Sequence, residues 1–271
     1  MPEAPDLEAY AAYVRRHLVG RRVTEARALV PPVVKSGREH LSGLVGRALV
    51  DASRRGKHLR LDFEGGPVLL VHPMLAGRFC HLPHEAPLRP RTALVIAFDD
   101  GADLRLRDDK LLSRVYVFPD GAQAEQALAP RPDQGPDALD PDLSPDVLLA
   151  RLPGQRGRLK ALITGERLVS GIGNAYADEV LFEAGISPLR PADRVSAEEA
   201  SRLLEAMRRV LVEATAIVLA RMEREGLPDE EYRDHLRVHR RGGQPCPRCG
   251  TAIAEVVSGG RVTSYCPRCQ P

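Results

Sequence analysis

"CPRCGTAIAEVVSGGRVTSYCPRC", residues 246–269, closes the chain with two Cys-x2-Cys pairs, Cys246/Cys249 and Cys266/Cys269, sixteen residues apart. That spacing suits tetrahedral zinc, because each pair places two thiolates on one tight turn. The intervening residues alternate apolar and polar and turn at Ser258-Gly259-Gly260. A β-hairpin with a ligand pair at each end is therefore expected. Disulfides are the competing use of four cysteines, disfavoured in an intracellular chain; a rubredoxin-type iron site is the other. Four thiolates fill a metal's coordination shell, so the expected ion is one structural Zn2+ with no open position for chemistry. The fifth cysteine, Cys80, stands in an apolar strand pattern and reads as core.

The hairpin brings Arg261 to its tip, where a fixed guanidinium is placed to meet a phosphate; a solvated turn residue is the plainer alternative. From His235 to Pro271 there are six arginines and one acid, Glu255, so this end is a basic patch on a chain of formal charge only +2. Positive charge is carried almost wholly by arginine. Only four lysines occur, Lys35, Lys57, Lys110 and Lys160. A site that keeps lysine points to a need for a compact ammonium or for a group that can lose its proton, although a skewed genome composition produces the same pattern.

The 271 residues, 43% of them hydrophobic, suffice for two domains with buried cores. The first apolar stretch is interrupted by Arg15, Arg16 and His17, and no apolar run is long enough to span a bilayer, so neither a signal peptide nor a membrane segment is expected. The chain reads as soluble and intracellular. Residues 5–19 place Leu7, Tyr10, Ala11, Val14 and Leu18 at helical spacing. From Arg22 to Pro119 short alternating runs such as "TALVIAFDDG" and "PVLLVHPMLAG" predict a sheet-rich domain. The Pro-, Asp- and Gly-rich stretch from residue 130 to 145 reads as a linker, and helical patterns run from there to about Gly226.

Two further motifs carry chemistry. In "SGIGNAYADEVLFEAGISP", residues 170–188, Gly171 and Gly173 bracket a turn and Asn174 stands at a helix start. Such a start offers unpaired backbone N–H groups to a phosphate, or simply caps the helix. At the other end, the chain begins "MPEAPDLE". Removal of Met1 would leave the Pro2 nitrogen as a secondary amine able to attack an aldehyde-level carbon. The plainer reading is a proline ahead of a helix.

The chain resembles the family of bacterial formamidopyrimidine-DNA glycosylase and endonuclease VIII over essentially its whole length. The resemblance rests on "MPEAPDLE", "RRGKHLRL", "HPMLAG", "GIGNAYADE" and the terminal cysteines, in that order. It implies an α+β fold: an N-terminal β-sandwich with flanking helices, then a helix–two-turns–helix domain ending in a zinc-finger hairpin. The expected divisions are 1–130 for the sandwich, 131–144 for a linker, 145–235 for the helical domain and 236–271 for the finger. The implied activity is base-excision repair of oxidised or ring-opened bases, with strand cleavage at the abasic site by β,δ-elimination. The implied partner is damaged double-stranded DNA lying in a cleft between the domains, bound by a monomer in the bacterial cytoplasm at the nucleoid. A non-catalytic zinc-finger DNA-binding protein on the same fold is the alternative.

The resemblance also implies residue roles. Pro2 is the nucleophile and Glu3 its acid/base partner. Lys57 and Arg261 hold flanking phosphates, and Lys160 and Asn174 anchor the backbone without reading sequence. Leu75, Lys110 and Leu112 fill the void left by a flipped base, where core packing is the alternative for the two leucines. Cys246, Cys249, Cys266 and Cys269 are the zinc ligands. Two departures bear on substrate. Leu112 stands where relatives carry an aromatic, and "LPDEEYRDHLRVHRRGGQP", residues 227–245, is short for a loop that caps a flipped purine. Oxidised pyrimidines or ring-opened purines are thus expected to be preferred over 8-oxoguanine.

Overall fold

A computed structural model of the chain describes residues 1–258 and 260–271. It resolves into two compact units, Met1–Ala129 with Thr215–Tyr232, and Pro130–Ala214 with Arg233–Pro271. The turn expected at Ser258-Gly259-Gly260 includes Gly259, which lies outside the described residues.

The first unit opens with helix α1 (Ala4–Leu18). Nine strands follow: β1 (Val23–Ala28), β2 (Val34–Ser36), β3 (Leu49–Arg55), β4 (His58–Phe63), β5 (Val68–His72), β6 (Gly77–Pro83), β7 (Thr92–Phe98), β8 (Ala102–Asp108) and β9 (Arg114–Phe118). They form two sheets, ordered β1-β7-β8-β6 and β2-β9-β5-β4-β3. Inward residues of both sheets share one core, among them Ile96 and Leu104 from the first and Leu61 and Val117 from the second. The two-residue side-chain period shows most plainly in β5. Leu69 and Val71 face the common core, whereas Val68 and Leu70 pack under Ala124 of α2 (Gly121–Ala127). A strand covered on both faces needs a continuous apolar run, and "VLLV" supplies it. The α1 stripe Leu7, Tyr10, Val14 and Leu18 is fully buried against the same core, where truncation of one leucine costs about 2–5 kcal/mol.

In the second unit come α3 (Pro145–Ala150), α4 (Leu159–Thr164), α5 (Asn174–Ala184) and α6 (Ala197–Glu225), then the hairpin β10 (Ala254–Ser258) and β11 (Arg261–Tyr265). Helix α6 belongs to both units: Leu203, Met207, Val210 and Leu211 line the second core, and Val218 and Met222 the first. The stretch expected as a linker is built into the second core. Ala138 and Leu143 are buried there, and Asp137 bridges Ser170 in a parallel pairing. Turn-forming composition marks where the chain bends, and it does not distinguish an exposed tether from a packed loop.

Candidate active site and nucleic-acid interface

Pro2 and Glu3 are buried at the head of α1. Glu3 is the helix N-cap, joined to Asp6 in a reciprocal capping box in which the Glu3 backbone N–H donates to Asp6 Oδ2 at 2.8 Å. Each carboxylate thus satisfies a backbone donor of the first turn that would otherwise be orphaned. The chain end is held in one geometry by the helix it begins.

Strands β3 and β4 pair down to Arg55 opposite His58, so Gly56-Lys57 forms the two-residue tip of a hairpin. Gly56 has φ +56°, a conformation glycine adopts without strain. Lys57 is nonetheless only 8% exposed. Beside the tip, Arg54 is also buried, donating to Glu8 Oε1 at 2.8 Å and to the Gly56 carbonyl at 2.9 Å. This pair fixes the turn that carries Lys57 against α1.

Leu75 and Leu112 are 52% and 42% exposed, large apolar side chains with no core around them. Each follows a residue forced into the left-handed region, Met74 at φ +53° and Leu111 at φ +54°. Two non-glycine residues in that region cost strain of order 1–3 kcal/mol each. Polar contacts hold the shape. Met74 N donates to His72 Nδ1 at 3.0 Å, Lys110 N donates to Asp108 Oδ1 at 3.0 Å, and Ser113 Oγ donates to the Pro73 carbonyl at 3.1 Å. Lys110, two residues before Leu112, is exposed. His72 must stay neutral to accept, and burial, with His58, Lys57 and Arg114 adding positive charge, lowers its pKa to about 3.

In the second unit, Asn174 begins α5 and Lys160 lies in α4. Lys160 is only 6% exposed; its Nζ pairs with Asp178 Oδ1 at 2.7 Å and donates to the Val262 carbonyl and to Thr263 Oγ1, both at 3.0 Å. Asn174 Nδ2 donates to the same Val262 carbonyl at 2.9 Å. Both side chains therefore grip β11 at the residue after Arg261. Asp178 and Glu179, the "DE" of the helix motif, extend the grip. Asp178 Oδ2 meets His239 Nδ1 at 2.7 Å and accepts from Ser264 N, while Glu179 accepts from the backbone N–H groups of Arg237, Val238 and His239, each at 2.9 Å. Arg261 itself, the first residue of β11, is exposed, and among the described residues nothing holds its guanidinium.

The four cysteine sulfurs lie within 4.8 Å of one another, with Cys246–Cys269 at 3.9 Å and Cys249–Cys266 at 3.5 Å. A disulfide would bring two of them to about 2.05 Å. Four sulfurs about 2.3 Å from a central zinc stand about 3.8 Å apart, so this set fits one structural Zn2+. Arg248, inside the first pair, donates to the Phe182 carbonyl at 2.8 Å and stacks 4.4 Å from the Phe182 ring, seating the knuckle on α5.

A β-sandwich, a helix–two-turns–helix module and a four-cysteine hairpin in one chain make up the architecture of a base-excision DNA glycosylase. Residues 1–115 match the formamidopyrimidine-DNA glycosylase N-terminal domain, 134–222 its H2TH domain, and 243–271 the zinc finger found in FPG and IleRS. Among similar proteins, the formamidopyrimidine-DNA glycosylase of Geobacillus kaustophilus is 34% identical over 277 residues, covering 100% of both chains. That of Moorella thermoacetica is 38% identical over 269 residues, covering 94% of each. The fold matches that of Lactococcus lactis Fpg in complex with DNA containing an abasic site, with TM-score 0.89, 24% identity and 99% of both chains covered. The chain belongs to the formamidopyrimidine-DNA glycosylase family, the bifunctional DNA glycosylases that are also abasic-site lyases.

Several supports of the site carry no local sequence signal. Ser113, Arg78 and Glu231 take their meaning from partners 40 to 153 residues away. Asp178 and Glu179 stand within a motif already singled out, and two adjacent acids on an apolar helix were the available clue.

Proposed function

We propose that this protein binds damaged double-stranded DNA as a monomer in the bacterial cytoplasm, removes an oxidised or ring-opened base, and cuts the strand through an iminium at the Pro2 nitrogen. The observation that carries this reading is the buried Pro2-Glu3 head of α1, fixed by its capping box. A model α-amine titrates near 7.7–8.0, against about 10.4 for lysine, so a terminal nitrogen is more readily neutral and nucleophilic than Lys57. A proline amine is intrinsically more basic, and its surroundings must tune it.

Attack of the Pro2 nitrogen on C1′ expels the base with the glycosidic electron pair. Glu3 shuttles a proton to the leaving group or to the sugar ring oxygen; with the amine proton lost and the C1′–O4′ bond broken, the sugar ring opens and the iminium C1′=N+ forms. The iminium acidifies C2′; loss of that proton expels the 3′ phosphate, and a second elimination expels the 5′ phosphate. Lys57 and Arg261 hold the flanking phosphates. Lys160 and Asn174 act through the Val262 carbonyl, fixing the strand that presents Arg261. Leu75 and Leu112, exposed and mounted on strained loops, fill the gap left by the flipped nucleotide, with Lys110 beside them. Zinc carries no reacting group; bound by the four cysteines, it supplies rigidity to the hairpin.

Borohydride reduction on an abasic-site duplex tests the reading. The protein with Met1 removed, verified by intact mass, is expected to be trapped covalently. A one-residue N-terminal extension is expected to abolish trapping. Full trapping by the extended protein would move the nucleophile to a lysine, and no trapping by either would leave a DNA-binding protein without the chemistry.

A further inference from the structure

The first unit holds a carboxylate that the chemistry above does not use. Glu231, in the irregular stretch after α6, is 12% exposed and receives the Met1 ammonium on Oε1 at 2.7 Å. Its other oxygen accepts from Arg78 Nη2 at 2.6 Å, and Arg78 in turn donates to the Gly77 carbonyl at 2.7 Å. Arg78 is the second residue of β6, directly after the Leu75 loop. The arginine thus fixes one edge of the carboxylate and leaves the other facing the chain terminus. Further ionisable groups in this neighbourhood are Glu3 at the N-cap, Asp6 and Tyr10 on α1, and Cys80 on β6, whose thiol pKa is pushed up by burial. Glu3 and Asp6 share the capping box, and Glu3 is the acid/base of the proposed chemistry. Tyr10, wholly buried, has its phenol pKa raised far above the usual range by desolvation, so it stays neutral.

Removing Met1 moves the terminal nitrogen back by one residue, a Cα step of about 3.8 Å. The new terminal nitrogen then stands at most about 6.5 Å from Glu231 Oε1 (2.7 Å plus that step), at the outer edge of the roughly 4–6 Å over which an opposite charge acts strongly on a titrating group. The new terminal nitrogen is a secondary amine, which has a consequence for the intermediate. When it adds to the C1′ aldehyde of an abasic sugar, an N–C1′ bond forms and the amine proton is lost. Protonation and departure of the C1′ hydroxyl as water then leave C=N+. A primary amine could next shed its remaining N–H and become neutral. A secondary amine has none left, so the iminium keeps its full charge until loss of the C2′ proton makes the neutral enamine, and departure of the 3′ phosphate with its bonding pair restores a conjugated iminium. A cation of that lifetime in a partly buried site calls for a fixed opposite charge.

We propose that Glu231, oriented by Arg78, is the counter-ion of the Pro2 nitrogen, paired with its ammonium before the reaction and with the iminium after it. The proposal rests on Pro2 as nucleophile. Its test therefore includes a reading that needs no turnover. In Glu231→Gln the side-chain size and the hydrogen bond from Arg78 are kept while the charge is lost. A neighbouring carboxylate favours the protonated amine, so the NMR titration midpoint of the Pro2 nitrogen in the free, Met1-processed protein is expected about one pH unit lower in the variant than in the wild type. The acid limb of borohydride trapping on an abasic duplex is expected to move the same way. Above that limb, the yield of trapped iminium is expected to fall several-fold. Glu231→Asp, which restores the charge on a shorter arm, is expected to recover part of both effects. An unchanged midpoint in Glu231→Gln, or a shifted midpoint with wild-type trapping yield, overturns the proposal. Absence of trapping in the wild type would instead remove the nucleophile reading, with the midpoint still reporting on the Glu231 pair.

Discussion

The Ser113 hydroxyl donates to the Pro73 carbonyl at 3.1 Å, tying the loop that carries Leu112 to the loop that carries Leu75. Gly77 lies directly beneath that tie, and its own N–H donates to the same carbonyl at 2.8 Å. A Cβ on residue 77 would stand 2.3 Å from Ser113 Oγ and 2.5 Å from the Pro73 oxygen, so the two loops cannot keep this spacing around any larger residue. Gly77→Ala is expected to destabilise the protein by about 1–3 kcal/mol through overpacking and to slow base excision about tenfold or more. Ser113→Ala, which removes only the bond, is expected to cost about 1 kcal/mol. Thermal unfolding and single-turnover excision check both. Wild-type excision by Gly77→Ala would show that the two leucines do not act as a pair.

Lys160 and Arg261 offer a sharper test. If Lys160 acts by gripping Val262, its loss should be felt through Arg261. Lys160→Met leaves Asp178 as a buried charge without its strongest partner, and a loss of about 3–5 kcal/mol of stability is expected. On strand cleavage, Lys160→Met and Arg261→Ala are expected to be strongly non-additive, because one displaces and the other removes the same guanidinium. The plainer role, a direct phosphate contact by Lys160, gives additive effects and a salt dependence of binding shallower by about one ion. A double-variant cycle of cleavage rates, with binding measured over a range of salt, separates the two.

Much of this architecture is legible in the chain because its causes are local. Alternation in "TALVIAF" predicts a strand, paired cysteines predict a tetrahedral site, and Gly173-Asn174 predicts a helix start. What the chain does not announce shares a cause. The residue type of Lys160 says that an ammonium is wanted, but its partners Val262 and Thr263 lie 102 and 103 residues on, and only folding reveals that the charge faces inward. Likewise, the prolines and aspartates of residues 130–145 announce turns, while the burial of Ala138 and Leu143 depends on a core assembled from α3 to α6. Composition reports local backbone preference, and burial is decided by what arrives later.

The neutral state of His72 sets an acid limit on the Leu75 loop. Its pKa, lowered to about 3 in the folded protein, is about 6.5 in an unfolded chain. Between these values the unfolded state binds the proton and the folded state does not, so stability is expected to fall as pH drops from about 6.5 toward 3. In His72→Asn the side-chain oxygen keeps an acceptor for the N–H two residues on, as in an Asx turn, and removes the titration. The fall in melting temperature over that window is expected to be smaller in the variant. Parallel pH profiles would assign the acid sensitivity elsewhere.

Zinc removal should separate scaffold from chemistry in the hairpin. Its apolar cluster is small, five buried residues of which two are the ligands Cys246 and Cys266, so metal bonds carry most of the local stability. Cys249→Ser, or chelation, is expected to disorder residues 246–269 and weaken DNA binding. Arg261→Ala is expected to retain stoichiometric zinc and the hairpin fold while losing strand cleavage, the second elimination most of all. Metal analysis alongside cleavage assays makes the comparison, and wild-type cleavage by Arg261→Ala at full zinc occupancy would reduce its guanidinium to a surface charge.

Lesion preference follows from what the exposed loops lack. Leu75, Lys110 and Leu112 include neither an aromatic ring to stack on the orphaned base nor an arginine fork to read it. A bidentate arginine contact discriminates between bases by about 1–3 kcal/mol, whereas a lysine ammonium makes fewer fixed bonds. Selectivity for the opposite base is therefore expected to be weak, and Lys110→Arg is expected to raise it about tenfold. Residues 227–245 are few for a cap over a flipped purine, and the first of them are occupied: Glu231 pairs with Arg78, and Asp229 with Arg89. Ring-opened and saturated bases stack poorly and cost less to extrude, so a lightly capped pocket accepts them more readily than 8-oxoguanine. Single-turnover excision of 8-oxoguanine, a formamidopyrimidine and thymine glycol, each opposite all four bases, measures this directly. The expected order places the formamidopyrimidine and thymine glycol ahead of 8-oxoguanine, with rates varying little across partners. Fast excision of 8-oxoguanine confined to pairs with cytosine would contradict both halves of the argument and locate the reading of the partner base on residues other than Lys110 and Leu112.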